Sequence, residues 1–305
     1  MNKFLATYIM RGRMQAMMVA STMALLSLLI PPLSLVSSSS VALVSLRRGA
    51  QEGLYVLLAS AVATAALGYL VMHDFRFALG YGLLLWLPVW VIAIVLRESR
   101  RLHWALEFPV LLGGLGVVGV YLFTPSPAAI WQEMITTVLQ PMLENPATPV
   151  EEVRDAVARV SRYMTGMVLA GVISGMLLSL LLARWWQSLL YNPGGFRQEY
   201  LALTTDAWLA ATALGLSLGA WLLSGRAAEI AWNVLVLLAV LYAFVGTAIV
   251  HVLLSRRTTR RWWLPMFYVL LFAIPQLLLP VVLAGVADPW LKWRERFSND
   301  QKGAT

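Results

Sequence analysis

Few residues in this chain have the types and spacing that covalent or metal chemistry requires. The three histidines, His73, His103 and His251, stand far apart and form no metal-ligand spacing. Cysteine is absent, so there is no thiolate ligand, no cysteine nucleophile and no disulfide framework. Neither a zinc-protease helix motif nor a phosphate-binding Walker loop occurs. The acidic and basic side chains fall outside, or at the edges of, the apolar runs, and they form no dense cluster of the kind that enzymes acting on lipid-linked phosphates use. An enzyme is therefore not expected, and neither is a catalytic residue, a metal site or a cofactor. A proton-coupled pump is disfavoured as well, because such pumps usually keep an ionisable group inside the membrane.

What remains within the apolar runs is neutral polarity beside broken helix. Gln276 lies between Pro275 and Pro280, and each proline lacks an amide donor and frees a carbonyl. Pro31-Pro32, followed by Ser34 and by Ser37 to Ser40, repeats the description earlier in the chain. Transporters expose backbone to a substrate at such interruptions; a kinked structural helix whose glutamine bonds a neighbouring helix explains the same residues. Trp86 and Trp90, on either side of Pro88, lie deeper in their run than an interfacial belt requires. A buried indole N–H needs an acceptor, so the pair either lines a cavity or belongs to the core. The candidate ligand contacts are accordingly Gln276, Pro275, Trp86, Trp90, Ser37 and Ser38.

The most distinctive local sequence runs from Trp185 to Glu199. Asn192-Pro193-Gly194-Gly195 is strong turn chemistry, and Trp185 and Trp186 suit the headgroup layer of a bilayer. Arg197 is placed to meet a lipid phosphate or Glu199. Tyr191, Asn192, Gly194, Gly195, Phe196, Arg197 and Glu199 thus form either an interfacial loop anchored by aromatics or a docking surface for a partner.

The elements that position these residues follow from composition. With 60% hydrophobic and 12% charged residues over 305 positions, the chain lies outside the range of water-soluble domains, where about a quarter of residues are charged. Backbone groups facing lipid must be paired within their own segment, which leaves helices or a closed barrel, and long runs without alternation exclude the barrel. Apolar runs cover Met14 to Ile30, Leu33 to Leu46, Leu54 to Met72, Ala78 to Leu96, Phe108 to Phe123, Met164 to Leu182, Ala207 to Leu223, Ile230 to Leu254 and Trp263 to Val286. At about 20 residues per crossing, they predict an all-α, polytopic transmembrane helix bundle of about eight to nine membrane segments, with Pro-broken first and last spans. The first run also has a cleaved signal peptide as its rival reading, but its charged leader is long and its apolar core runs past signal-peptide length.

One integral membrane domain, residues 1–305, is expected, with an outer amphipathic connection over 124–162 and a polar tail over 287–305. Within the connection, Ile130, Trp131, Met134, Ile135, Val138, Leu139 and Met142 recur at helical spacing. Thr148-Pro149-Val150-Glu151 then reads as a capped helix start with proline in the first helical position, and Val150, Val153, Val157 and Val160 share one face. Orientation follows Lys and Arg. Starting inside, fourteen fall on the cytoplasmic pieces, among them Lys3, Arg11, Arg13, Arg47, Arg48, Arg97, Arg100, Arg101, Arg184 and Arg197, against nine outside. A cytoplasmic N-terminus is expected. The basic residues cluster at the ends of apolar runs, so the net charge of +8 points to lipid headgroups and not to nucleic acid.

Leu189 to Glu199, together with Ala287-Asp288-Pro289-Trp290-Leu291-Lys292-Trp293-Arg294, resembles the YybS-like family of uncharacterised bacterial membrane proteins. The resemblance extends over nearly the whole chain in length and span pattern, and its specific part is these two stretches. The family often has an acid where Lys292 stands, so no role is carried to that position. The family is similar in fold to the substrate-binding S components of energy-coupling-factor transporters, and the proline break followed by a short helix ending in Leu46-Arg47-Arg48-Gly49 agrees with that pattern. The resemblance implies a bacterial inner-membrane protein that binds or helps move an unknown small molecule without ATP hydrolysis of its own, with any energising partner a separate chain. An envelope assembly or scaffold protein, acting through contacts with a protein partner, is the second reading.

Overall fold

The computed structural model of the protein describes residues 2–73, 75–144, 149–255 and 260–293. Among the described residues all regular structure is helical. The α-helices are α1 (Asn2–Arg11), α2 (Arg13–Leu26), α3 (Leu33–Arg48), α4 (Ala50–Met72), α5 (Arg76–Tyr81), α6 (Leu87–Ser99), α7 (Leu102–Phe123) and α8 (Pro127–Leu143). They continue with α9 (Val150–Ser161), α10 (Met164–Tyr191), α11 (Gly195–Leu201), α12 (Ala207–Leu222), α13 (Gly225–Ser255), α14 (Arg260–Ala273) and α15 (Leu278–Leu291). A π turn, Gly82–Trp86, joins α5 to α6, and a 3-10 turn, Pro275–Leu277, precedes α15. The fold is the all-α membrane fold that composition predicts.

Fewer helices are long enough to cross than the expected eight to nine segments. Among the described residues five have the length and apolarity of a span: Ala50–Leu70, Arg76–Ser99, Leu102–Phe123, Met164–Tyr191 and Gly225–Leu254. A sixth is made if Trp262–Ala273 and Pro275–Leu291, bent by 114°, count as one broken crossing. The other apolar runs fold as shorter helices because turns cut into them. The first run stops at Leu26, a turn carries Pro31-Pro32, and α2 and α3 are left with 14 and 16 residues. At 1.5 Å per residue these span about 21 and 24 Å, short of a hydrocarbon core of about 30 Å. In the last run the chain bends once, at Ile274 and the 3-10 turn, and Pro280 is absorbed into the first turn of α15, where its missing amide costs nothing.

The connection over 124–162 folds as two helices, α8 and α9. Ser126-Pro127 starts the first, with Ser126 Oγ accepting the Ala129 N–H at 3.4 Å and proline in the first helical position. The second begins at Val150, so Pro149 stands just ahead of it and not inside it, while Thr148 lies outside the described residues. Two carboxyl groups just beyond the ends of apolar runs are nonetheless buried. Glu107, in the second turn of α7, is 6% exposed, and Asp288, near the end of α15, is 4% exposed.

The chain forms two compact units, Met1–Pro109 with Val172–Leu203 and Val110–Gly171 with Thr204–Thr305. In the first, α3 packs against α2, α4 and α6. Its serines allow this, because a small side chain lets backbones approach and its hydroxyl can be satisfied locally. Ser37 donates to the Ala20 carbonyl on α2 at 2.7 Å, Ser39 to Leu35 at 2.5 Å and to Ser179 at 2.9 Å, and Ser40 and Ser45 to carbonyls one turn back.

In the second unit the long α13 packs against α12 and α15. The close crossing is made by Gly246 and Gly285. A Cβ on Gly246 would run into the Val281 carbonyl, and one on Gly285 into the Tyr242 carbonyl. Other glycines on apolar helices face open space: Gly171, Gly175 and Gly215 have nothing within 4 Å of where a Cβ would stand. Asn233, wholly buried on α13, clamps the start of α10. Its Oδ1 accepts the Gly166 N–H, one of the four amides that a helix start leaves open, and its Nδ2 donates to the carbonyls of Arg162 and Glu229, both at 2.7 Å. Trp131 of α8 donates to Thr165 Oγ1 at 2.9 Å and so attaches the 124–162 connection to the same helix start.

Two outcomes follow for purified protein unfolded in detergent. Gly246→Ala is expected to lose about 1 to 3 kcal/mol through overpacking, whereas Gly215→Ala should stay within about 0.5 kcal/mol. Asn233→Ala should cost about 1 to 3 kcal/mol, because buried backbone donors and acceptors lose their partner.

Candidate functional site

At one end of the first unit the last turns of α3 and α6 meet α10 and α11 around a partly open cavity of about 530 Å³, lined by Leu46, Leu96, Arg97, Glu98, Arg100, Arg184, Gln187 and Glu199. Its construction begins with the end of α3. A helix leaves its last four carbonyls without partners, and here Gly49 turns the chain into α4 at φ +108°, ψ 174°, a backbone conformation open only to glycine. The Leu46 carbonyl, three residues earlier, accepts from Arg97 Nη1 at 2.7 Å and from Gln187 Nε2 at 3.4 Å. One orphan acceptor thereby draws two long polar side chains, from α6 and α10, to the same point.

The cavity wall is completed by a charged pair. Arg184 Nε donates to Glu199 Oε2 at 2.8 Å and its Nη2 to Oε1, the two-pronged geometry that guanidinium and carboxylate prefer, and its Nη1 donates to Gln187 Oε1 at 2.7 Å. The Arg184 side chain is only 17% exposed, so the carboxylate also offsets its loss of water. Glu98 stands 3.7 Å from Arg97 Nε with most of its side chain in the open. Arg100, exposed and in the left-handed region at φ 56°, ends α6 at the rim.

The loop from Tyr191 to Glu199 builds the α11 side. Gly194 adopts φ +90°, and a Cβ on Gly195 would strike the Asn192 amide. Ser188 holds the turn from below, donating to the Asn192 carbonyl at 2.7 Å and accepting the Phe196 N–H at 3.1 Å. Tyr191 presents its ring to Arg47, whose guanidinium carbon lies 4.1 Å from the centroid. Glu199 lines the cavity, and Arg197 is exposed.

The six expected ligand contacts are placed elsewhere. Trp86 and Ser37 do come together, but in the core. The indole of Trp86, wholly buried, donates to Ser37 Oγ at 3.0 Å, and its ring meets Tyr81 edge-on at 5.0 Å. Ser38 is buried too. Trp90 donates to the Ala50 carbonyl at 2.9 Å, at the first residue of α4. Pro275 and Gln276 belong to the second unit, on the bend before α15, where Gln276 is exposed. Pro275 lines an apolar groove of about 400 Å³ there, with Tyr268, Leu271, Phe272 and Leu278.

The residues that sequence reading passed over as site residues are Arg97, Arg100, Arg184 and Gln187. The first three carry a visible signal, since they were counted among the basic residues at run ends. Nothing in a linear count says that three such ends converge on one cavity.

Gly49→Ala tests this construction, because it forces a side chain into a backbone conformation costing about 1 to 3 kcal/mol. The expected result is that loss in detergent unfolding, with the single variant Gln187→Leu retaining most of the stability.

Residues 156–289 match a protein family described as a predicted membrane protein (DUF2232), a stretch that includes Arg184, Gln187 and the whole turn from Tyr191 to Glu199. No curated protein and no solved structure gives a significant match. With several apolar helices of spanning length and this similarity to an uncharacterised family of membrane proteins, the chain is a membrane protein.

Proposed function

We propose that the protein is a non-enzymatic small-molecule-binding component of a bacterial inner membrane, comparable to the S components of energy-coupling-factor transporters, with any energy source on a separate chain. The observation that carries this reading is the cavity at the end of the first unit. Its volume of about 530 Å³ lies within the range of about 300 to 1,000 Å³ typical of ligand sites, and it brings charged groups, an amide and a backbone carbonyl to one place. In this reading the N-terminus and the arginine-rich helix ends face the cytoplasm, where basic residues flanking spans collect. The Asn192–Glu199 turn, next to the cavity, then faces a cytoplasmic or membrane partner.

A second reading, an envelope scaffold, draws on the glycines whose Cβ positions are open. Gly171, Gly175 and Gly215 lie on helices that carry apolar runs and leave room for another helix to approach.

Two measurements decide between these readings. In a thermal-shift panel of vitamins, nucleobases and amino acids, one class should stabilise the purified protein, by about 2.7 kcal/mol at a hundredfold excess over Kd. Gln187→Leu should abolish that shift and Trp86→Phe should leave it. No shift with any compound, together with co-purification of a wall-synthesis or division complex, would leave the scaffold reading standing instead. For orientation, the chain lacks cysteine, so single cysteines at Arg101 and at Ser126 can be labelled without background. An impermeant reagent applied to intact cells should reach the second and spare the first.

A further inference from the structure

Resting on the reading of this cavity as a ligand site, we infer that its ligand carries a phosphate group, held between Arg100 and the guanidinium fork of Arg184. Four observations lead there. Arg184 is largely withdrawn from water and already engages an oxyanion, Glu199, through two parallel bonds. A guanidinium that binds carboxylate in this way binds phosphate by the same geometry. Glu199 therefore occupies the place of an anion supplied by the protein itself.

Charge points the same way. The lining holds three arginines, Arg97, Arg100 and Arg184, against two glutamates, Glu98 and Glu199, a balance of +1. Glu98 directs most of its side chain into the open, and Glu199 is taken up by Arg184. Arg47 and Arg101, beside the cavity in sequence, rest against the rings of Tyr191 and Trp104, contacts that leave their positive charge in place. The field in the cavity thus favours an anion over a neutral or cationic ligand.

Position separates phosphate from a plain carboxylate. The arginines come from different helices, Arg97 and Arg100 from the end of α6 and Arg184 from α10, and a planar carboxylate aligned with one fork offers little to a second. A tetrahedral phosphate presents oxygens to both. Helix ends bearing arginine next to apolar spans are also where phospholipid headgroups lie, so a lipid and a soluble phosphate ester share this chemistry.

Binding requires Glu199 to yield. The step is an exchange of anions on Arg184, with no covalent bond made or broken, and it releases the Glu199 side of α11 while the Ser188–Phe196 bond still holds its first turn to α10. Occupancy is thereby coupled to the Asn192–Glu199 turn.

The test uses the full chain, delipidated in neutral detergent, and reads the thermal midpoint. The probes are inorganic phosphate and glycerol 3-phosphate for the soluble source, phosphatidylglycerol for the lipid source, and acetate and diacylglycerol as controls without phosphate. A concentration-dependent rise with a phosphate-bearing probe, absent with both controls and lost in Arg100→Gln, is the expected result. A rise with phosphatidylglycerol alone assigns a lipid headgroup; a rise with the soluble probes assigns a soluble ester. Glu199→Gln removes the internal competitor and should lower the half-maximal concentration by about tenfold, the equivalent of about 1.4 kcal/mol; unchanged or weaker binding in that variant overturns the exchange. If no phosphate probe acts but a neutral or cationic compound gives a shift that Gln187→Leu removes, the phosphate assignment fails and the cavity reading survives. If nothing shifts the midpoint, both fail.

Discussion

The carbonyl at the end of α3 is the constraint on which the first unit depends. A helix that stops at Arg48 must place its last acceptors somewhere, and the glycine turn into α4 covers the Ser45 carbonyl through the Gly49 N–H while the Leu46 carbonyl is met by side chains. Arg97 and Gln187 meet that demand at Leu46. The consequence is geometric: the ends of α3, α6 and α10 converge, and a guanidinium whose partner is a neutral carbonyl keeps its charge for other uses. A structural requirement of the backbone thus assembles a cavity with an excess of positive charge.

Within the helices, polarity is spent on assembly. The serines of α3 close their hydrogen bonds on α2, on α10 and on their own helix, and Trp86 closes on Ser37. In the second unit Asn233 performs the same service for the first turn of α10. Groups satisfied in this way have little left for a ligand, because exchanging a made bond for a new one gains little. The charged groups at the helix ends are different, since solvent or a ligand can replace one partner by another.

Much of the fold was legible from the residues. The apolar blocks locate the helices, Pro31-Pro32 and Pro275 mark true breaks, and Asn192 to Gly195 is a turn in which Gly194 takes a positive φ. The expected eight to nine segments exceed the five or six helices of spanning length among the described residues, because the runs Met14 to Ile30 and Leu33 to Leu46 fold as helices of only 14 and 16 residues. The site was half legible. Glu199 and Tyr191 were singled out by local composition and do belong to it or to its edge. Arg97 and Gln187 are 90 positions apart and meet at a single carbonyl, which no local pattern encodes. Trp86 and Ser37 misled for a physical reason: burial with polarity looks the same in sequence whether the polar atom faces a ligand or another side chain.

The division of α10 between the two units bears on the order in which the chain is made. All residues of the first unit have been synthesised once Leu203 is added, so its helices can close on one another while α12 to α15 are still to come. The Gly166 amide has to wait for Asn233, 67 positions later, and the Gly246 crossing waits further, for Gly285. Domains fold largely as they emerge, and contacts distant in sequence come last. The residues of the arginine-lined cavity are therefore all present before Thr204–Thr305 are made, and a newly made chain can meet an anion there while those residues are still to come.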